Sequence, residues 1–433
     1  MRIWKQASEL AAQTPISRNR YVDFLRAASI CIVIVGHWLM ATVYYVDGEL
    51  TTEHVFRVIP ATQWLTWIFQ VMPIFFIVGG YSNAVSLESA RRKNIGYAGW
   101  LSTRLNRLSV PLLILILAWT LIALLMRLAG YEAATIQLIT RVALIPTWFL
   151  AIYIMVVILA PAAYRVWQKF GFRLFWLLVS IAALMDWLYF AAEVRWPSWS
   201  SYFWVWLAIH CLGFAWRDSR LGSSRLLLVY SLLSISALAI LVFVGPYPLA
   251  MIGSPDMTLS NTTPPKVTLV ALSLFQFGLL LALENPMRRL LTNLRLWTAT
   301  VLINGMIMSI YLWHVSVMVA LIAVLYYSGG TGLGFEPGSG DWWLSRPLWI
   351  AALLLPLIPL ALLLSPMERL SRAGDRRVLS PLRQVAGACL ICLGIALLAL
   401  FGYGGVPAWI DVVLFALVAV GAGIGGLLSH INR

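Results

Sequence analysis

Charge is scarce in this chain. Asp, Glu, Lys and Arg together make up 11% of the 433 residues, whereas hydrophobic residues reach 61%. So little charge excludes a soluble protein of this length, because the remaining polar residues could not cover so much apolar matter. Cysteine is rare as well. The four, Cys31, Cys211, Cys389 and Cys392, all fall inside apolar runs, which argues against a structural disulfide. Cys389 and Cys392 have C-x-x-C spacing, but in the run Ala-Gly-Ala-Cys-Leu-Ile-Cys-Leu-Gly they read as small buried residues rather than a redox or metal motif. No tandem repeat, strand-rich region or soluble domain is visible. No cleavable signal peptide is visible either: the first twenty residues are polar and basic, and the first apolar run is too long and too charged for a signal core.

The apolar matter comes in runs of membrane-spanning length. Twelve are expected, at roughly 22–45, 63–89, 108–128, 146–163, 174–190, 200–216, 226–244, 267–284, 298–327, 347–365, 386–402 and 407–428. The expected fold is therefore all-α, a polytopic integral membrane protein. The first ten runs form the more secure unit, and the last two follow a basic loop. The expected organisation is a cytoplasmic segment 1–21, a ten-span domain 22–370, and two additional spans with a short tail in 371–433.

The basic surplus of +14 could suggest nucleic acid, but its distribution points elsewhere. With the N-terminus placed in the cytoplasm, 24 of the 31 Lys and Arg fall on inner segments and 5 on outer loops, with Arg26 and Arg127 inside spans. This is a positive-inside pattern, so the surplus is a topology signal. Two expected outer connections, 245–266 and 328–346, are rich in Gly, Pro, Ser and Thr. They are irregular and read either as lids or as plain connectors. Asn261-Thr-Thr matches a glycosylation acceptor, a triplet common by chance. Trp196, Trp199, Tyr202, Trp342 and Trp343 cluster at span ends, as an interfacial aromatic belt does.

Against this apolar background the ionisable residues stand out. Arg26 and His37 lie eleven residues apart in the first run. In a helix they would point the same way within roughly 20°, offset by ~16 Å along the axis. Asp23 lies on nearly the same face. That stripe should face protein or water rather than lipid. His37 alone reads equally as an interhelical packing partner or as a site residue. Burial without an acidic neighbour favours neutral imidazole, which can act as a general base. Arg104 and Arg107, three apart on one helix face, form either a phosphate clamp or an ordinary positive-inside cluster. Tyr311 and His314, in the ninth run, are a third candidate group. His210 and Asp186 read as interhelical hydrogen-bond partners.

Taken in order, these residues resemble the membrane-bound acyltransferase-3 family. That family is marked by Arg-x10-His in its first span, here Arg26 and His37, and by Arg-x-x-Arg before its third, here Arg104 and Arg107. Further matches are Asp23, Met72 to Tyr81, Trp148-Phe-Leu, Tyr311-Leu-Trp-His314 and Glu368, over about residues 18–370. Gly79 stands where the family usually has Ser, and Ala27 where Gly often follows the arginine. The wording Phe69 to Gly80 resembles an actinobacterial branch, which implies a bacterial plasma membrane.

The resemblance implies transfer of an acyl group, often acetyl, from cytoplasmic acyl-CoA to a hydroxyl of a glycan, lipid or natural product. It implies His37 as base, Arg26, Arg104 and Arg107 at the donor, Asp23, Tyr311 and His314 in support, and neither metal nor nucleic acid. The rival readings are a proton-coupled secondary transporter or exporter using His37, His314 and Asp186, and a non-catalytic membrane scaffold.

Overall fold

The computed structural model describes residues 2–15, 18–46, 48–219, 221–253, 257–370, 378–405 and 408–427. The basic stretch holding Arg372, Arg376 and Arg377, together with Arg220, His430 and Arg433, lies outside the described residues. The fold is all-α and polytopic. Among the described residues nine helices are long and apolar enough to cross a membrane, or ten if the bent pair Val267–Ala282 and Glu284–Leu290 is one span. Two expected spans are shorter: Ser201–Arg217 has 17 residues and Trp409–Ile424 has 16. One helix, Ala133–Leu144, lies where no span was expected.

Three expected spans also change shape. The first helix runs Arg20–Met40, not to residue 45. Ala41–Val46 forms a strand that pairs with Glu49–His54, because the run Thr-Val-Tyr-Tyr-Val of β-branched and aromatic residues suits a pleated surface better than a helix. His37 thus sits in the last turn of its helix rather than mid-span. The ninth run is two helices, Leu294–Gly305 and Ile307–Tyr327, interrupted at Gly305 and Met306. The second begins with a 3₁₀ turn, Pro60–Leu65, before Met72–Arg92.

The chain folds as two compact units. The first holds Met1–Gly36, Glu53–Glu88 and Ala160–Gly305; the second holds His37–Thr52, Ser89–Leu159 and Met306–Arg433. In the first, the helices Met72–Arg92 and Ser201–Arg217 touch backbone to backbone at Gly80 and Gly213. A Cβ on Gly80 would overlap the His210 carbonyl, and one on Gly213 would overlap the Ile77 carbonyl. Small residues allow such an approach between membrane helices. Gly80→Ala should therefore destabilise the protein by about 1–3 kcal/mol, measured as denaturant unfolding in detergent. Gly423→Ala, where an added Cβ meets nothing within 4 Å, is the control and should fall within about 0.5 kcal/mol of the parent.

The same unit buries an ion pair. Lys266 and Asp186 are 0% and 2% exposed at the side chain, with Nζ 3.6 Å from Oδ1. The ammonium also lies 3.6 Å from the Tyr189 ring centroid. Tyr247 Oη–H and the Val267 amide donate to Asp186 Oδ2 at 3.1 and 2.9 Å. Burial pushes the Lys266 ammonium down from its usual range. Nearby, Asn261 is fully buried. Its amide nitrogen donates to the Pro248 and Ala250 carbonyls at 2.8 and 2.9 Å, and its oxygen accepts from Thr268 Oγ1 at 2.7 Å. The Asn-Thr-Thr triplet is thus part of the loop's internal framework.

In the second unit the helices Pro381–Phe401 and Trp409–Ile424 form a hairpin whose backbones meet at Gly387 and Gly421. This hairpin is fastened to earlier helices. Gln384 Nε2 donates to Ala98 O at 3.1 Å, and Arg127 Nη2 pairs with Asp411 Oδ2 at 3.0 Å. Asp411 also accepts the Gly404 and Gly405 amides. Tyr403 Oη lies 2.7 Å from Thr120 Oγ1, and burial pushes its phenol up to about 12.

Candidate active site

The second unit brings His37, Tyr311 and His314 together. His37 Nδ1 lies 2.8 Å from His314 Nε2. The ring planes differ by only 9°, with centroids 5.0 Å apart, so the imidazoles meet edge to edge, nearly in one plane, rather than face to face. On its other side His314 Nδ1 lies 2.5 Å from the Tyr311 carbonyl oxygen.

This chain of contacts fixes proton positions. A carbonyl only accepts, so His314 Nδ1 carries the hydrogen. In neutral imidazole the remaining nitrogen, Nε2, then accepts. His37 Nδ1 must therefore donate to it, which puts the His37 lone pair on Nε2. The tautomers are assigned from the hydrogen-bond network. A histidine held by its Nδ1–H with Nε2 basic is the form that can take a proton from a hydroxyl.

Surrounding groups hold this pair still. Trp38, the next residue, donates Nε1–H to the His314 carbonyl at 3.0 Å, so neighbouring residues of one helix grip both the ring and the backbone of residue 314. Trp349 Nε1 donates to the Trp38 carbonyl at 3.1 Å. Tyr311 Oη donates to the Pro146 carbonyl at 2.7 Å, so its phenol fastens the helix and its carbonyl serves His314. Trp119 Nε1 donates to Ser316 Oγ at 2.9 Å. The start of the helix Ile307–Tyr327 is fixed by Glu368, whose Oε1 accepts the Ser309 amide at 2.7 Å and the Ser309 hydroxyl at 2.5 Å. A carboxylate at a helix N-terminus satisfies backbone donors and opposes the helix dipole.

The strand Ala41–Val46, which follows the helix whose last turn holds His37, carries part of the glycine-rich stretch 328–346. The Tyr45 amide donates to the Leu333 carbonyl at 2.9 Å. Gly330, at φ +77°, lies against the Tyr45 ring so closely that a Cβ there would overlap it. Arg104 and Arg107 are half-buried in the same unit, on one face of the helix Tyr97–Leu128. The Arg104 guanidinium lies 5.7 Å from the Trp100 ring centroid.

Arg26 and Asp23 belong to the first unit. There Asp23, 6% exposed, accepts from Arg18 Nε at 2.6 Å and from Arg26 Nη1 at 3.2 Å. Arg26 Nη2 donates to Ser82 Oγ at 2.7 Å, and Asn304 Nδ2 to the Asp23 carbonyl at 2.9 Å. His210, fully buried, has Nε2 3.4 Å from Asn83 Nδ2. Among the described residues no group of three or more His, Cys, Asp or Glu is arranged to hold a metal ion.

A family model described as an acyltransferase domain matches residues 19–366. The chain belongs to the membrane-bound acyltransferase-3 family. No curated protein and no solved structure matches it significantly. The match covers the first ten expected spans and stops before the C-terminal hairpin, so acyl transfer within a multi-pass membrane protein is the activity of the matched region. The acyltransferase carries both of its intramembrane candidate histidines, His37 and His314, inside that match.

Sequence reasoning named His37, Tyr311 and His314 but left the group that orients His37 unassigned. It missed Trp38 and Trp349, whose indole N–H groups frame the pair. The signal was faint: a tryptophan directly after an intramembrane histidine.

Proposed function

We propose that this acyltransferase moves an acyl group, often acetyl in its family, from cytoplasmic acyl-CoA to a hydroxyl of a cell-envelope glycan, lipid or natural product. His37 is the general base. The observation that carries this reading is the relay from the Tyr311 carbonyl through His314 to His37, which directs the lone pair to His37 Nε2. In the reaction Nε2 takes the proton of the acceptor hydroxyl, and the oxygen attacks the thioester carbonyl carbon. The C–S bond then breaks. The CoA sulfur leaves as thiolate and takes the proton back from Nε2, giving an ester and free thiol. The fixed dyad adds orientation, which proton transfer in the transition state requires.

Arg26, Arg104 and Arg107 are assigned to the donor, whose phosphates suit guanidinium groups. The distribution of Lys and Arg supports a cytoplasmic N-terminus, which sets Arg104 and Arg107 near the side where acyl-CoA is found. Arg104→Ala and Arg107→Ala should each raise the KM for acyl-CoA by about 10- to 100-fold, the worth of a charge-assisted hydrogen bond, measured with radiolabelled acetyl-CoA and membranes. An unchanged KM removes them from the donor site. The reading as a whole is tested by mass spectrometry of envelope glycans and lipids from cells with and without the gene. An acyl-sized mass difference supports it, and identical profiles overturn it.

A further inference from the structure

One buried cation is not used by this chemistry. Arg346 is 8% exposed. Its guanidinium lies 4.4 Å from the Trp342 ring centroid and 5.3 Å from that of Trp349. It makes two hydrogen bonds, Nε to the Trp342 carbonyl and Nη2 to Ser345 Oγ, both at 3.1 Å. Among the described residues no carboxylate lies within ion-pair distance of it. Its backbone position makes this worse. Arg346 is in the second turn of the helix Gly340–Leu370, at the positive end of the helix dipole, where an anion is favoured and a cation is not. Asp341, in the first turn, is exposed and does not pair with it.

A buried donor without a partner lies in the same stack. Trp342 is 1% exposed, and its Nε1–H has no hydrogen-bond partner among the described residues. Two aromatic faces stabilise a guanidinium but supply no negative charge and take none of its N–H bonds. A buried cation without a carboxylate partner, beside a buried N–H donor without an acceptor, is what an oxyanion would complete.

The stack is also joined to the histidine pair. Trp349, which covers the guanidinium, donates to the Trp38 carbonyl at 3.1 Å, and Trp38 donates to His314 at 3.0 Å. An anion held on Arg346 would therefore be fixed to the same framework that positions His37.

We propose that Arg346 and Trp342 bind a carboxylate or phosphate carried by the acceptor, so that the acyltransferase selects an anionic hydroxyl-bearing substrate. This inference rests on the acyl-transfer reading, but its test does not. The full-length protein in phosphatidylcholine nanodiscs is titrated with methyl glucuronide, glucose 6-phosphate and methyl glucoside, with binding read by thermal shift. At least one anionic sugar should bind at least tenfold more tightly than methyl glucoside. Arg346→Gln should cut that preference at least tenfold. Trp342→Phe, which keeps the ring and loses the N–H, should cut it about threefold and decides the matter if Arg346→Gln does not fold.

A preference that survives both substitutions, or no preference in the parent protein, overturns the proposal. Stabilisation by phosphatidylglycerol nanodiscs that depends on Arg346, with no binding of either anionic sugar, also overturns it and assigns the site to a lipid headgroup. Loss of acetyl-CoA-dependent transfer to every acceptor would instead sink the acyl-transfer reading and leave the binding result standing.

Discussion

A His37→Ala variant, extracted from membranes in the same amount as the parent protein, should transfer acyl groups about 10²- to 10⁴-fold more slowly, the range that a positioned general base contributes. Nothing else in the described pair can take over. His314 Nδ1 is committed to the Tyr311 carbonyl and its Nε2 to His37. Truncation leaves His314 in place and removes the nitrogen that the proposed mechanism turns toward the hydroxyl. The loss should fall on kcat, with the KM for acyl-CoA changed less than threefold, because the donor phosphates are assigned to arginines rather than to His37. Radiolabel transfer from acetyl-CoA in purified membranes measures both. A variant that retains more than a tenth of the activity removes His37 as base. A scaffold would not register the substitution, and a proton-coupled transporter would lose flux without ever requiring acyl-CoA.

The fold was largely legible because hydrophobic run length alone reports a membrane span. What escaped were the interruptions. Ala41 to Val46 continues the apolar composition of the first span yet forms a strand, since a short run of β-branched and aromatic residues is hard to tell from a helical end. At the break at Gly305 and Met306 the new helix start is capped by Glu368, which is 59 residues from Ser309. No local pattern announces that.

The candidate site divides along the same line. His37, Arg26 and His314 stood out because ionisable groups are costly inside lipid. The pairing of His37 with His314 did not, because 277 residues separate them and a lone sequence carries no distance between spans. Arg346 was the least visible. In sequence it is one of five outer-loop cations, and only its burial between two indoles, with no carboxylate partner among the described residues, sets it apart.

The second large effect belongs to His314, which in the proposed mechanism acts through His37 and is therefore a positioning residue. In that mechanism its work is to be neutral, to donate from Nδ1 to the Tyr311 carbonyl and to accept at Nε2 from His37. His314→Phe keeps an aromatic ring but removes the acceptor. The Nδ1–H of His37 then loses the acceptor that His314 Nε2 provides, and the Nδ1–H tautomer is no longer favoured by that bond. That substitution should lower kcat by about 10²- to 10⁴-fold, the range spanned by groups that orient a functional histidine, with the KM for acyl-CoA nearly unchanged. His314→Gln offers a different test, because its side-chain oxygen can accept from His37 Nδ1–H although it cannot reproduce the whole relay. It should recover at least tenfold over His314→Phe.

A purely structural role would order the two variants the other way, since phenylalanine suits an apolar, fully buried position better than an amide does. Nitrogen-15 NMR of labelled histidine supplies the readout that packing would not move: His37 should be protonated at Nδ1 in the parent and in His314→Gln, and should shift toward Nε2 protonation in His314→Phe. Equal activity of the two variants, together with an unchanged His37 tautomer, would show that His314 fills space and nothing more.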